Sequence, residues 1–171
     1  MRNGNMGPTR YRRLVTEQTA PVVISKAFDE LTTSELYGLL RLRCDVFVVE
    51  QACAYPELDG RDTESGTAHH WVAEAGEEDD DGSDRPAIAA YLRSLTEPDG
   101  TTRLGRVVTA PAARGRGLAA TLVDHVGAAT PGPIVLDAQS HLVDWYLRLG
   151  YTIDGAEFVE DGIPHVPMRR G

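Results

Sequence analysis

The sequence predicts a one-domain protein of the α/β (α+β) class, in which helices cover both faces of a mixed β-sheet. The first observation is length, since 171 residues can bury a sizeable core within one domain. The second is composition, because 42% hydrophobic and 25% charged residues are ordinary for a soluble globular protein. The third is the order of strand-like and helix-like segments, β-α-βββ-α-β-α-ββ, which a mixed sheet between helices accommodates.

The predicted strands are short apolar or β-branched segments bounded by turn residues. Residues 134–138, IVLDA, are nearly all apolar, which is typical of a buried parallel strand. Residues 77–84, EEDDDGSD, separate two hairpin strands and are interpreted as a solvated loop, with a docking site as the alternative. The remaining strands are predicted at 21–28, 69–75, 87–95, 103–110, 151–160 and 165–170.

Three helices are predicted from apolar residues at helical spacing. A capping box, Thr32 to Glu35, begins the first helix, and the helical period is lost in residues 46–62. Gly150 is the predicted C-cap of the third helix. The expected core-facing residues are Leu36, Leu39, Leu40 and Val46 in the first helix, Leu118, Leu122 and Val126 in the second, and Leu142, Trp145, Tyr146 and Leu149 in the third.

Residues 1–20 lack the apolar segment of a secretory signal and are expected to be a mobile N-terminal extension, so the domain is assigned to 21–171. No apolar run is long enough to span a membrane. Cys44 and Cys53 form no disulfide framework, and a cytoplasmic location is expected. These cysteines together with His69 and His70 lack a recognised zinc-ligand spacing, so no metal is expected.

The net charge of −9 is concentrated locally, because six acidic residues lie within 77–84. Overall acidity argues against nucleic-acid binding, which requires a basic face. Against this background, the stretch ARGRGLAATLV at 113–123 stands out. A structural turn, a dinucleotide-binding motif, a P-loop and an RNA-binding RG repeat are possible interpretations of this stretch. The dinucleotide-binding motif and the P-loop require other spacings. The P-loop also requires a lysine at its end, and the sole lysine of the chain is Lys26. RNA-binding RG motifs are usually repeated, whereas this one occurs once.

A turn that binds an anion at the start of a helix fits this stretch better. Gly115 and Gly117 allow the backbone to approach a ligand closely. The free N–H groups of the first helical turn, together with the helix dipole, attract negative charge. Arg114 and Arg116 add positive charge suited to a diphosphate. The stretch therefore predicts a ligand that carries a pyrophosphate.

Residues 114–119, RGRGLA, match the R/Q-x-x-G-x-G/A signature of the GNAT acetyltransferase superfamily, with Ala119 at the last position. In that superfamily this turn grips the pyrophosphate of acetyl-CoA. Longer segments resemble the ElaA-like branch of the superfamily, and together they run across most of the chain outside the N-terminal extension. They are 42–62, 69–71, 105–107, 138–151 and 160–168.

The resemblance implies the GNAT fold, a mostly antiparallel sheet in which a bulged fourth strand at 103–109 splays from the fifth at 134–138. It also implies an acetyl-CoA-dependent N-acetyltransferase that moves the acetyl group directly to a primary amine. Tyr146 corresponds to the tyrosine that protonates the departing thiolate, although a core role is the alternative. The cofactor contacts implied are Val107, Val108, Thr109, Arg114, Gly115, Arg116, Gly117, Leu118, Ala119 and Gln139, the last replacing a common asparagine.

The general base is the least constrained assignment. Glu50 ends the apolar run VFVVE, so we expect it to be partly desolvated, with a raised pKa. His70 begins a strand that should border the substrate cleft. His141, His165 and a water chain are the alternatives.

The acceptor is expected to be a small-molecule or peptide amine. The acidic residues Glu50, Glu57, Asp59 and Asp62 suggest that it is cationic. A non-catalytic GNAT-fold module that binds acyl-CoA or a protein partner is the alternative function, and a longer acyl donor such as succinyl-CoA is a further alternative. The resemblance also makes residues 156–170 a candidate homodimer interface.

Overall fold

The computed structural model describes residues 20–74 and 87–171. The interpretation of 77–84 as a solvated loop lies outside the described residues, as does the expected mobility of 1–20 apart from Ala20.

In the part of the chain that the structure describes, eight strands form one sheet in the order β1-β2-β3-β4-β5-β8-β6, with β7 also paired to β8. Every pair is antiparallel except β4 with β5. The predicted mixed, mostly antiparallel sheet is therefore confirmed. The strands are β1 (Val23–Ala27), β2 (Ala68–Glu74), β3 (Ala87–Thr96), β4 (Thr102–Thr109), β5 (Ile134–Gln139), β6 (Thr152–Ile153), β7 (Phe158–Glu160) and β8 (Ile163–Arg170).

Helices cover both faces of the sheet, as predicted. They are α1 (Thr33–Arg43), α2 (Leu118–Ala129) and α3 (Val143–Arg148). Neighbouring residues of β3 show the two faces, because Tyr91 packs with Leu39 of α1 while Leu92 packs with Leu122 of α2. Thr32 and Glu35 form the predicted capping box at the start of α1. Buried apolar surface on the two faces is the main stabilising contribution to the fold.

The sheet opens between β4 and β5, as the family resemblance implied. These strands pair only at Thr102 with Ile134 and at Arg103 with Val135. Farther along, Tyr91 pairs with Val108 and Arg93 with Gly105, so Arg106 and Val107 both lie opposite Leu92. This two-against-one arrangement is a β-bulge. Arg106 has a φ of +55°, a left-handed conformation that is uncommon for a non-glycine residue.

Although the 3.6-residue period is lost after residue 46, the backbone stays helical through Cys44–Glu50 as a π-helix. The amide of Gln51 donates to the carbonyl oxygen of Val46 at 3.0 Å, a bond across five residues. A π-helix has more residues per turn than an α-helix, so the 3.6-residue period disappears while the backbone stays helical. Leu36 and Leu40, which are expected in the core, are only half-buried, whereas Leu42, which is not among the expected core residues, is buried.

The single strand predicted at 151–160 is also wrong in detail. β6 and β7 are two short strands along the same edge of β8, separated by residues 154–157. Gly155 packs tightly on Pro167, since a Cβ at this glycine would lie 3.0 Å from the proline ring. The C-cap of α3 is Leu149 rather than the predicted Gly150, which follows it with a φ of +83° and donates its amide to the carbonyl oxygen of Leu147.

Candidate functional site

A cleft of about 710 Å³ occupies the opening between β4 and β5. One wall consists of residues 104–107 of β4 and the other of residues 136–139 of β5. The segment that follows the π-helix, including Cys53 and Tyr55, lines one end. Tyr146 of α3 and His165 of β8 also line the cleft. The size suits a ligand much larger than a water molecule or an ion.

The edge of β4 that faces this cleft has backbone N–H and C=O groups that are not paired with another strand. Past Arg103, β4 no longer pairs with β5. On its other side, Val108 and Thr109 pair with Tyr91 and Ala90 of β3. An extended ligand could therefore hydrogen-bond along β4 in the manner of an added strand.

The glycine-arginine turn (residues 114–117) leads into α2 at the end of β4. Gly115 and Gly117 have φ of +75° and +77°, and a Cβ at either position would meet no atom within 4 Å. Gly117 is the N-cap of α2 and provides no side-chain cap. The first helical hydrogen bond runs from Thr121 N to Gly117 O at 3.0 Å, so the preceding N–H groups of Leu118 and Ala119 are not used within the helix. This is the geometry of an anion-binding helix N-terminus.

Both arginines of the turn contact carboxylates. Arg114 lies 2.8 Å from Glu50, and Arg116 contacts Glu74. The Glu50 side chain is 45% exposed, so it is only partly desolvated. The π-helix carries Glu50 past the apolar core to the surface beside the glycine-arginine turn.

Tyr146 combines a buried ring with access to the cleft. The residue is 5% exposed, and its ring packs edge-on against Trp145 at 4.7 Å and Tyr151 at 5.6 Å between centroids. Burial, and then the interaction with Tyr151, raises the pKa of the Tyr146 hydroxyl well above its ordinary value. The hydroxyl makes no hydrogen bond to the residues that the structure describes. It is therefore a protonated donor available to a ligand in the cleft.

Gln139 lies at the end of β5, where it lines the cleft. Its side-chain amide donates to the side-chain carbonyl oxygen of Gln51 at 3.3 Å. This contact links the end of β5 to the residue that follows the π-helix.

The expectation that His70 borders the cleft is wrong. His70 is 8% exposed and lies on the face of the sheet that α2 covers, with its ring 6.0 Å from that of His125. Its Nδ1 lies 2.8 Å from Ser25 Oγ and its Nε2 2.9 Å from Ser94 Oγ. Burial is the main cause that lowers the pKa of His70 to about 4, assisted by His125 and His69. Both ring nitrogens are occupied, so His70 is a structural residue.

The structure reveals a largely buried cluster of charges that the sequence analysis does not predict. In this arginine–carboxylate cluster (Arg43, Arg93, Arg106, Glu57, Asp59, Asp62), every carboxylate contacts two arginines. The Nη1 atoms of Arg43 and Arg93 lie 2.8 and 2.9 Å from Asp62, while Arg93 Nη2 lies 2.6 Å from Asp59. Although burial alone would raise the pKa of Asp59 and Asp62, hydrogen bonds from these arginines hold both pKa values below their ordinary range.

The cluster removes one argument for a cationic acceptor. Glu57, Asp59 and Asp62 neutralise internal arginines, so they do not form an acidic surface that would attract a cationic amine. The sequence feature that indicates such a cluster is the presence of arginines inside otherwise apolar segments, such as Arg93 in AIAAYLRSL. A buried arginine requires carboxylate partners.

Arg106 connects the arginine–carboxylate cluster to the bulge of β4. Its Nε lies 2.8 Å from Glu57 Oε2, and its Nη2 lies 3.2 Å from Asp59 Oδ2. Nη2 also donates to the carbonyl oxygen of Glu57, and the guanidinium lies over the ring of Tyr55. The segment before β2 therefore holds the bulged residue Arg106 by ion pairs with carboxylates and by a cation–π contact with an aromatic ring.

The remaining candidate residues differ in whether they line the cleft. His165 lines the cleft, whereas His141 is exposed outside it. Cys53 also lines the cleft, and both cysteines are free thiols. Within 20–74 and 87–171, no three histidine, cysteine or acidic residues are arranged to hold a metal ion. In the same ranges, no helix is long and apolar enough to cross a membrane.

A family model of the acetyltransferase (GNAT) domain matches residues 43–170. A UPF0039 protein of Mycobacterium tuberculosis is 44% identical over 149 residues, which cover 82% of this chain and 87% of the relative. Protein ElaA of Escherichia coli is 35% identical over 148 residues, covering 82% of this chain and 90% of ElaA.

Solved structures agree with these sequence matches. The crystal structure of an acyl-CoA N-acyltransferase from Pseudomonas aeruginosa is similar at a TM-score of 0.76 and 39% identity, covering 89% of this chain and all of that one. An aminoglycoside 6'-N-acetyltransferase complexed with coenzyme A shares the fold at a TM-score of 0.61 and 14% identity, covering 86% of this chain and 96% of that one.

Proposed function

Because the chain belongs to the GNAT acetyltransferase family, we propose that it transfers an acetyl group from acetyl-CoA to a primary amine. The observation that carries the proposal is the unpaired edge of β4, which borders the cleft at residues 104–107 and leads along the chain to the glycine-arginine turn at the start of α2. The turn offers an anion site, and the cleft offers the hydroxyl of the buried Tyr146. A long thioester that carries a pyrophosphate fits both.

The proposed donor site uses mainly backbone groups. The pyrophosphate accepts hydrogen bonds from the N–H groups of residues 115–119, with Arg114 and Arg116 adding charge. The pantetheine arm pairs with residues 107–109 along the free edge of β4. Gln139, at the facing end of β5, offers its amide to the same arm. The missing Cβ atoms at Gly115 and Gly117 leave open space beside this backbone, which supports a close approach of the ligand.

Transfer is proposed to occur by direct attack, without an acyl-enzyme intermediate. The amine nitrogen forms a bond to the thioester carbon, and the C–S bond breaks with its electron pair remaining on sulfur. Tyr146 donates a proton to the thiolate. This role suits a hydroxyl whose pKa is raised by burial. A backbone N–H at the bulge of β4 stabilises the negative thioester oxygen before the C–S bond breaks.

Titration calorimetry with acetyl-CoA, followed by thiol release across a panel of primary amines, tests the function. We expect binding and amine-dependent thiol release. Tyr146→Phe should slow transfer about 100-fold while acetyl-CoA binding persists. Tyr151→Phe is the matched control, because Tyr151 is buried beside Tyr146 and does not line the cleft.

Absence of acetyl-CoA binding would contradict the proposal. Binding without transfer to any amine would favour the non-catalytic acyl-CoA module, and faster turnover of succinyl-CoA would change the donor.

The homodimer through 156–170 stays a prediction, supported by the exposed Phe158 and Val159 on β7. Sedimentation equilibrium would test it.

A further inference from the structure

His165 is a histidine of the cleft whose role the donor site leaves unassigned. It lies on β8, paired with Gln139 of β5 on one side and Phe158 of β7 on the other. Its ring stacks on that of Phe158, with 5.9 Å between centroids and an angle of 27° between planes. Two paired strands and one ring contact thus position the imidazole.

The hydrogen bond of the ring determines which nitrogen carries the proton. Nδ1 of His165 lies 2.9 Å from the carbonyl oxygen of Ile163. A carbonyl oxygen only accepts, so Nδ1 must donate. In the neutral ring, Nε2 is then the nitrogen with the free lone pair. Among the described residues, none hydrogen-bonds to this Nε2.

His165 and Tyr146 approach the cleft from opposite faces of the sheet. Tyr146 packs with Leu136 and Ala138 of β5, which belong to the core beneath α2 and α3. Side chains alternate along a strand, so Gln139 projects from the other face. Its cross-strand partner His165 shares that face. The contact between Gln139 and Gln51 agrees, since Gln51 follows the π-helix on the α1 side.

The other base candidates are separated from this position. His70 lies beneath α2 with both nitrogens occupied. Glu50 is engaged with Arg114 at the glycine-arginine turn. His141 does not line the cleft. The titratable and charged residues that line the cleft with His165 are Cys53, Tyr55, Asp59, Arg61, Arg93, Arg103, Arg106, Asp137, Tyr146, Glu160 and Asp161.

Resting on the proposed acetyl transfer, we propose that Nε2 of His165 is the general base that deprotonates the acceptor amine. An ammonium acceptor loses two protons as it becomes an amide. His165 accepts the first, which frees the nitrogen lone pair for attack on the thioester carbon. The C–S bond breaks, Tyr146 protonates the sulfur, and the second nitrogen proton goes to solvent. His165 then releases its proton and Tyr146 regains one from solvent, for a net release of one proton.

This assignment separates the two proton transfers in space. The base takes a proton on the face of the sheet near Gln51, and the acid donates one from the face beneath α3. Neither group needs to move across the cleft between the two steps. The acceptor is therefore expected to enter from the α1 side, past Cys53 and Tyr55.

The test compares His165→Gln and His165→Asn with His141→Gln, a matched histidine change outside the cleft. The wild type and variants are titrated with acetyl-CoA. Thiol release is then measured from about pH 6 to about pH 9 with the best alkylamine of the panel and with hydroxylamine, which is uncharged at neutral pH.

We expect the His165 variants to lose about 100-fold in kcat/KM for the alkylamine at neutral pH, with acetyl-CoA affinity unchanged. The loss for the alkylamine should shrink as the pH rises, because a larger fraction of the alkylamine is then already neutral. The loss should also be smaller with hydroxylamine, because hydroxylamine is uncharged without the help of a base. His141→Gln should match the wild type throughout.

Three results would overturn the assignment. One is a His165 variant with wild-type rates and pH profile. Another is an equal loss for the alkylamine and hydroxylamine at every pH. The third is loss of acetyl-CoA binding in both variants, which would make His165 structural. A wild-type protein that transfers to no amine would instead refute the proposed function, so the two failures are distinguishable.

Discussion

The carboxylate of Glu50 lies 2.8 Å from the guanidinium of Arg114, which joins the end of the π-helix to the glycine-arginine turn. The proposed pyrophosphate site therefore has a carboxylate at its edge. This carboxylate holds the arginine near the anion site, and it also repels a phosphate that enters. Its two effects on coenzyme binding oppose each other, and the charge repulsion acts even where the ion pair is exposed and weak.

Glu50→Gln should tighten acetyl-CoA binding by about two- to fivefold, because it removes a negative charge beside the pyrophosphate and loses only an exposed ion pair. Titration calorimetry at low and high salt measures the change, which added salt should reduce. Glu64→Gln is the matched control, since Glu64 pairs with Arg61 instead. A large loss of turnover in Glu50→Gln with unchanged binding would instead support Glu50 as the base.

Arg116→Glu should weaken acetyl-CoA binding about tenfold, because it replaces a positive charge at the start of α2 with a negative one. Arg148→Glu, on α3 and outside the cleft lining, makes the same charge change and should leave binding nearly unaltered. Equal effects of the two variants would indicate a general charge effect and contradict a local pyrophosphate site.

Arg106→Gly should lower the free energy of unfolding by about 2 kcal/mol, because Glu57 and Asp59 each lose an arginine partner. Glycine tolerates the φ of +55°, so the backbone conformation alone does not cause the loss. Arg106→Lys should recover part of the stability but not the forked contacts. Urea unfolding measures both variants, and wild-type stability in Arg106→Gly would contradict a tethering role.

His70→Gln should make stability less dependent on pH. The folded-state pKa is lowered from 6.5 to about 4, so the unfolded chain binds the proton more readily between these values. The contribution of His70 is complete above pH 6.5 and falls by about 3 kcal/mol as the pH drops to about 4. Urea unfolding across this range should show a shallower slope for the variant. An unchanged slope, or abolished acetyl transfer in a folded variant, would contradict the structural role.

Local features of the site could be predicted from sequence because neighbouring residues create them. The glycine-arginine turn and the first two residues of α2, six residues in all, bring flexible backbone, charge and a helix N-terminus together. The capping box of α1 needs only Thr32 and Glu35. Tyr146 was identified through family resemblance, and its burial and access to the cleft follow from the packing of α3 on β5.

The general-base candidates could not be ranked from sequence, because their environments depend on partners far along the chain. His70 is surrounded by Ser25, Ser94 and His125 through the pairing of β1, β2 and β3 beneath α2. Glu50 reaches Arg114 only because a π-helix extends α1.

The sequence by itself determined the class of fold, the location of the proposed coenzyme turn and the family resemblance, since these depend on periodicity and short-range motifs. Only the tertiary structure decided which histidine lines the cleft and which acids are neutralised. Strand register assigns a side chain to one face of the sheet, and burial requires charges such as Arg93 to find distant carboxylates. Both constraints arise when segments pack together, so no single stretch of sequence contains them.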